Sequence, residues 1–267
     1  MRLSLRSRLV VIGAVLLTAA AMPTASPAAQ RSTAFDERAF NQAMDDFTAH
    51  HQDDWIGLQS LWARFGIRLL SIDIPRLNLH GVSAQAAQHA VAAEVRSPRA
   101  RGHAAALPPD TFNVSGAIGQ RSDGRYVVQG NWDFKSSFAG GETPDDIALL
   151  SVRSKCWTIS NTAWSISDQV GNSHNGLGYI RKNDLQGDIA LGVHDSVSGF
   201  NLLTAHGNER FFMSNSGCND GIKAAFEFEH NQSGSTVGIY IAFGLLTVSY
   251  NGATVPPLQK ATDVFRS

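Results

Sequence analysis

The chain has 267 residues, 43 % hydrophobic and 17 % charged, which is a globular composition, and its 22 Lys and Arg almost cancel its 23 Asp and Glu. A formal net charge of −1 supplies no field for nucleic acid or for an anionic membrane surface, so neither is an expected partner. With a leader set aside, roughly 240 residues remain, enough for one large domain or one domain with an appendage.

The chain opens with Arg2, Arg6 and Arg8, continues through the apolar run Leu9 to Leu17, and ends in small residues and prolines at Ala29. This is the layout of a secretory signal peptide over residues 1–29, and its apolar core is too short for an ordinary membrane span. Cleavage after Ala21, Ala28 or Ala29 fits equally, and an uncleaved anchor is the alternative. Export predicts a secreted, periplasmic or cell-surface protein with no stable membrane span once the leader is removed. It also predicts a disulfide between the two cysteines, Cys156 and Cys218, against the alternative of two buried thiols.

Residues 30–96 read as a helical N-terminal segment. Phe40, Met44, Phe47, Trp55, Leu58, Leu61, Trp62 and Phe65 fall largely at helical spacing, with Asp45, Asp46, Asp53 and Asp54 on a solvated face. His50 and Asp54 stand one turn apart, which is too few ligands for a metal site. Leu69 to Leu79 alternates like a strand, and Pro75 demotes it to an edge strand or an extended connection. A second helix is predicted over Ser83 to Val95, alanine-rich and capped by Ser83.

Residues 97–110, with three prolines and small residues beside Arg99 and Arg101, read as a linker, either an exposed connection or a processing site. Residues 111–267 carry many short alternating segments separated by Gly, Asn, Asp and Ser, which predicts an antiparallel β-sandwich or barrel-like domain. The uncharged run Thr236 to Tyr250 is expected at the buried centre. Its alternation slips at Gly244, which predicts a bulge or bend between a final pair of strands, and it is expected to form a hairpin with the segment containing Phe226 and Phe228, whose Glu227 and Glu229 would make an acidic outer row.

Chemistry is sparse. There is no G-x-S-x-G elbow, H-E-x-x-H, phosphate-cradling glycine loop, C-x-x-C or EF-hand loop, so no cofactor or metal is expected. His174, His194, His206 and His230 are the candidate general bases, and His206 with Gly207, Asn208 and Glu209 reads as a turn. Oxygen clusters at Asp145–Asp146, at Asn183, Asp184 and Asp188, and at Asn219–Asp220 read as turns.

Trp132, flanked by Asn131 and Asp133 beside Gly130, and Trp164, with Asn161, Thr162 and Ser165, have the setting of stacking platforms for a sugar ring. The alternative is that both are core residues. The sequence therefore predicts a non-catalytic binder of an extracellular glycan or protein. A secreted hydrolase with a dispersed His and carboxylate site stands second, and a membrane-active protein third.

Overall fold

The computed structural model describes residues 35–96, 112–134, 145–184, 187–194, 196–197, 202–215, 217, 221–230, 237–242, 245–250 and 259–266. The expected single N-terminal helix is two. Helix α1 (Glu37–His50) starts at Asp36, whose carboxylate accepts from the Ala39 N–H at 2.9 Å, and α2 (Trp55–Arg64) starts at Asp54, which accepts from the Gly57 N–H at 2.8 Å. Between them Asp53 adopts φ 60°. An aspartate that caps a helix draws the chain out of helical geometry in front of it, so this acidic stretch breaks the helix. Strand β1 (Ile67–Ile74) stops at Pro75, which opens a 3-10 turn, and β2 (Leu79–Val82) leads into α3 (Ala84–Arg96), capped by the Ser83 hydroxyl.

Twelve further strands are β3 (Phe112–Arg121), β4 (Tyr126–Phe134), β5 (Asp146–Arg153), β6 (Trp157–Asp168), β7 (Gly178–Asp184), β8 (Asp188–Val193), β9 (Ser196–Val197), β10 (Leu202–Asn215), β11 (Lys223–His230), β12 (Val237–Ala242), β13 (Leu245–Tyr250) and β14 (Gln259–Arg266). A seven-stranded sheet runs β2-β1-β3-β4-β10-β6, with β9 also on β10, and a five-stranded sheet runs β14-β11-β5-β8-β7. The pairings are antiparallel. The fold is an antiparallel β-sandwich with helices over one sheet.

Alternation along the strands explains both cores. Val128, Trp132, Phe134 and Phe211 face Leu150, Leu191, Phe226 and Phe228 between the sheets, while Ala117, Val127 and Phe212 face outward under Phe40, Met44, Leu58, Leu61 and Trp62 of the helices. Residues 97–110 lie outside the described residues, but the chain on either side of them is continuous in structure. Strand β1 pairs with β3 from Ile67↔Arg121 to Asp73↔Gly116, and Phe35–Ser267 forms one compact unit. The N-terminal segment, read as helical, therefore contributes two strands as well as a covering layer, and β1 is an interior strand.

The expected hairpin with the Phe226 and Phe228 segment does not form, because β11 has other partners. The strands β12 and β13 pair with each other from Val237↔Tyr250 to Ala242↔Leu245, so the alternation restarts because the chain reverses between Ala242 and Leu245. Strand β11 lies between β14 and β5, and Glu227 is buried rather than part of an exposed acidic row. The burial of residues 237–250 lies outside the described residues.

Candidate functional site: a polar crevice beneath the helix turn

The stretch His206 to Glu209, expected as a turn, is the middle of β10. Its neighbours are β4 and β6, and the registers Asp133↔His206, Asn131↔Asn208 and Gln129↔Arg210 set polar residues side by side on the outer face. Strand β3 extends the rows with Asn113↔Asp133 and Ser115↔Asn131, and β6 adds Ser165 opposite Asn208. The result is a patch of amides, hydroxyls and charges on a sheet face whose other end, at Val127 and Phe212, is apolar.

The patch is internally bonded. His206 Nδ1 lies 2.6 Å from Asp133 Oδ1, Asn131 donates to the Ser115 hydroxyl at 3.2 Å, and Asn208 donates to the Thr48 hydroxyl of α1 at 2.5 Å. Arg210, wholly buried, donates to Ser165 Oγ at 2.9 Å and Asn41 Oδ1 at 3.1 Å, and also to Asn208. Ser165 in turn donates to Asp45 at 2.5 Å, so Asp45, expected on a solvated face, points at the sheet. Burial pulls the Arg210 pKa down to about 10, and the fields of Asp45 and Glu37 limit the fall. On the opposite face, burial pushes the Glu209 carboxyl well above its ordinary range, against a weaker opposing hydrogen bond from the Leu150 N–H.

Part of the patch is open. A cavity of about 60 Å³ is walled by Asn113, Ser115, Gln129, Asn131, Asp133 and His206 of the sheet, and roofed by Phe47, Thr48, His51, Gln52, Asp53, Asp54, Trp55 and Leu58. Arg76 closes one side, ion-paired to Asp53 at 2.9 Å and Glu94 at 3.1 Å. Burial lowers its pKa, and the two carboxylates more than reverse this, so the guanidinium stays charged. Gln129 is buried with its Oε1 lacking a hydrogen-bond partner. A space of this size takes a few waters or the protruding group of a larger molecule, well short of the roughly 300–1,000 Å³ that encloses a whole small ligand.

The structure divides the expected site residues. Asn131 and Asp133 line the crevice, but Trp132 between them faces the other way, because adjacent strand residues alternate. It is 2 % exposed and stacks on Phe226 and Phe228 with centroids 6.4 and 5.2 Å away. It also lies over Gly207, where a Cβ would come within 2.0 Å of Trp132 Cζ2, so a glycine is required opposite it. Trp132 has no ring face for a ligand. Trp164 is half-buried on the edge strand β6 and donates from Nε1 to the Asn175 carbonyl at 3.0 Å. Cys156 is buried just before β6, and Cys218 lies outside the described residues.

The candidate histidines whose side chains are described do not share one cleft. His206 borders the crevice, whereas His174 is held by Asp168 at 2.8 Å and His194 by Asp145 at 2.5 Å. The side chain of His230 lies outside the described residues. Among the described residues no group of three or more His, Cys, Asp and Glu is arranged to hold a metal ion.

No protein-family model matches the chain. A search of curated proteins also finds no match. Among solved structures, the collagen-binding subdomain of the Enterococcus faecalis surface protein ACE is similar over 53 % of this chain and 88 % of its own, at 8 % identity and a TM-score of 0.30. A collagen-binding domain from a Staphylococcus aureus adhesin covers the same shares at 6 % identity and a TM-score of 0.29. AvmM, which catalyses macrocyclization in alchivemycin A biosynthesis, covers 62 % of this chain and 84 % of its own at 10 % identity and a TM-score of 0.21. At TM-scores of 0.30 and below, these likenesses assign neither a ligand nor a reaction.

The Asp168 turn, which contributes no residue to the crevice lining, gives a pH prediction. Burial alone would raise this fully buried carboxyl. Hydrogen bonds from the Asn172 side chain, His174 and the Asn172 and Val170 N–H groups outweigh it and hold the pKa at about 2. A depressed pKa stabilises the fold above the unfolded value near ~4 and loses that contribution as pH falls from ~4 to ~2. Asp168→Asn should therefore cost about 2 kcal/mol at pH 7 and almost nothing at pH 2. Unfolding curves at both values check this, and a pH-independent difference would contradict it.

Proposed function

We propose that the protein is exported and binds an extracellular ligand, a glycan or a protein, without transforming it, and that the crevice around Asn131 and Asp133 takes part in the contact. The observation that carries this reading is the open edge of the polar rows: amides and hydroxyls from β3 and β4 face a cavity beside the paired Asp133 and His206. Such groups exchange hydrogen bonds with sugar hydroxyls or peptide amides. The half-buried Trp164 is the remaining aromatic candidate, at the sheet edge. Export is supported by the basic start, the short apolar run and the small residues before Ala29. Among the described residues no helix is long and apolar enough to cross a membrane.

The test is a binding screen of the secreted chain against immobilised glycans and extracellular proteins, repeated with Asn131→Ala and Asp133→Asn. Each substitution should weaken binding by ~1–3 kcal/mol. A ligand whose affinity neither variant alters would remove the crevice from the contact. The second reading, a hydrolase, is favoured by the Asp133–His206 pair alone, since a carboxylate that orients an imidazole is half of a general-base device. Ligand cleavage over hours that disappears in His206→Ala would replace binding by catalysis.

A disulfide between Cys156 and Cys218 belongs to the same proposal, because it suits an oxidising compartment and staples the start of β6 to the segment before β11. Thiol titration of the denatured, unreduced protein should find no reactive thiol. Two would disprove the bond.

A further inference from the structure

A groove of about 790 Å³ lies at the end of the seven-stranded sheet opposite the crevice. Strand β4 runs from Tyr126 in the groove to Asp133 in the crevice, so the two sites share strands but no residues. Its volume falls within the roughly 300–1,000 Å³ typical of ligand sites. Tyr126 and Trp157, both half-buried, meet at 4.7 Å between centroids and 87° between planes. Two rings at a right angle make a corner with apolar walls.

Among the described residues, charge at the rim is predominantly positive. Arg68 and Arg125 are exposed and line the groove. Asp123 also lines it, but its carboxylate is engaged by Arg121 at 2.6 Å and lies 3.8 Å from Arg125. Arg68 donates to the neutral side chain of Gln120 at 3.2 Å. Two guanidiniums therefore face one carboxylate that already has a partner, beside the polar Gln120 and Ser214.

We propose that this groove binds a carboxylated saccharide, with the sugar ring in the Tyr126–Trp157 corner and its carboxylate between Arg68 and Arg125. Each component matches one part of that ligand. Aromatic walls pack against the C–H face of a pyranose, arginine forks pair with planar carboxylates, and Gln120 and Ser214 exchange hydrogen bonds with hydroxyls. A neutral sugar offers the two guanidiniums no counter-charge, and an acidic peptide leaves the corner unfilled. The site is independent of the crevice reading.

The experiment is calorimetric titration of the secreted chain with tetragalacturonate, with neutral maltotetraose and tetraglutamate as comparisons. Tetragalacturonate should bind in preference to both and weaken with added salt. Arg68→Ala and Arg125→Ala should each weaken it about tenfold at an unchanged melting temperature. Trp157→Phe, which keeps an aromatic in the core wall, should weaken it less, while Asn131→Ala should leave it unaltered. Absence of tetragalacturonate binding, equal binding of either comparison, or indifference to both arginine substitutions would overturn the proposal. Loss of binding in Asn131→Ala alone would return the ligand to the crevice.

Discussion

Trp132→Ala should lower the unfolding free energy by ~3–5 kcal/mol, the range for removing a buried aromatic side chain. The indole is 2 % exposed, between Gly207 on the adjacent strand and the rings of Phe226 and Phe228 on the facing sheet. Truncation leaves a cavity that cannot collapse, because β4 and β10 are fixed by a ladder from His206↔Asp133 to Phe212↔Val127. Urea unfolding at neutral pH measures the loss. A cost below ~1 kcal/mol would mean that the ring is exposed in solution and would restore it as a stacking platform.

A second large loss is expected at Arg210. Arg210→Met keeps the length of the side chain and removes the guanidinium that bonds Ser165, Asn208 and Asn41. Ser165 and Asn208 stay buried beneath α1, which supplies the half-buried Asn41 and Asp45, and stranding the partners of a buried charge costs ~3–5 kcal/mol. Asp45→Asn in the same chain should recover part of it, since the uncompensated carboxylate is then gone. Equal losses in the single and double variants would show that Asp45 does not sense Arg210. Because Asn208 also holds Thr48 in the crevice roof, ligand affinity should fall with stability.

Much of the sandwich was legible because short alternating segments obey a period of two, and most of the predicted segments from 112 onward are strands. Three features were not. The break between α1 and α2 rests on an aspartate acting as a cap rather than as a surface charge, and spacing alone cannot distinguish those roles. Strand β10 was split by its polar centre, since His-Gly-Asn has turn composition and only the facing Asp133 and Asn131 make it strand. The pairing of β1 with β3 crosses the linker, and no local pattern encodes a partner that far along the chain.

The crevice was half legible. Asn131 and Asp133 were singled out for standing beside Trp132, yet the alternation that identifies the strand puts their side chains on the opposite face. The signal for the site was the polar series Asn113/Ser115, Gln129/Asn131/Asp133 and His206/Asn208/Arg210, each at a spacing of two, on strands whose other face is largely apolar. An outward face that polar is ordinary when it meets water. Here α1 and the turn after it cover it, and the covering depends on tertiary packing.

The order in which the chain visits the two sheets also bears on how it folds. After β1 to β4 build one side of the seven-stranded sheet, the chain crosses to the other sheet for β5, returns for β6, crosses again for β7 and β8, returns for β10, and crosses once more for β11. Strand β6 thus has no partner until β10 arrives, and β5 separates β8 from β11. Neither sheet can be completed from one contiguous length of chain, so loop closure is paid before most pairing is gained, and the two sheets form and melt as one cooperative unit. A chain built this way cannot complete its seven-stranded sheet before β10, nor its five-stranded sheet before β14, has been synthesised.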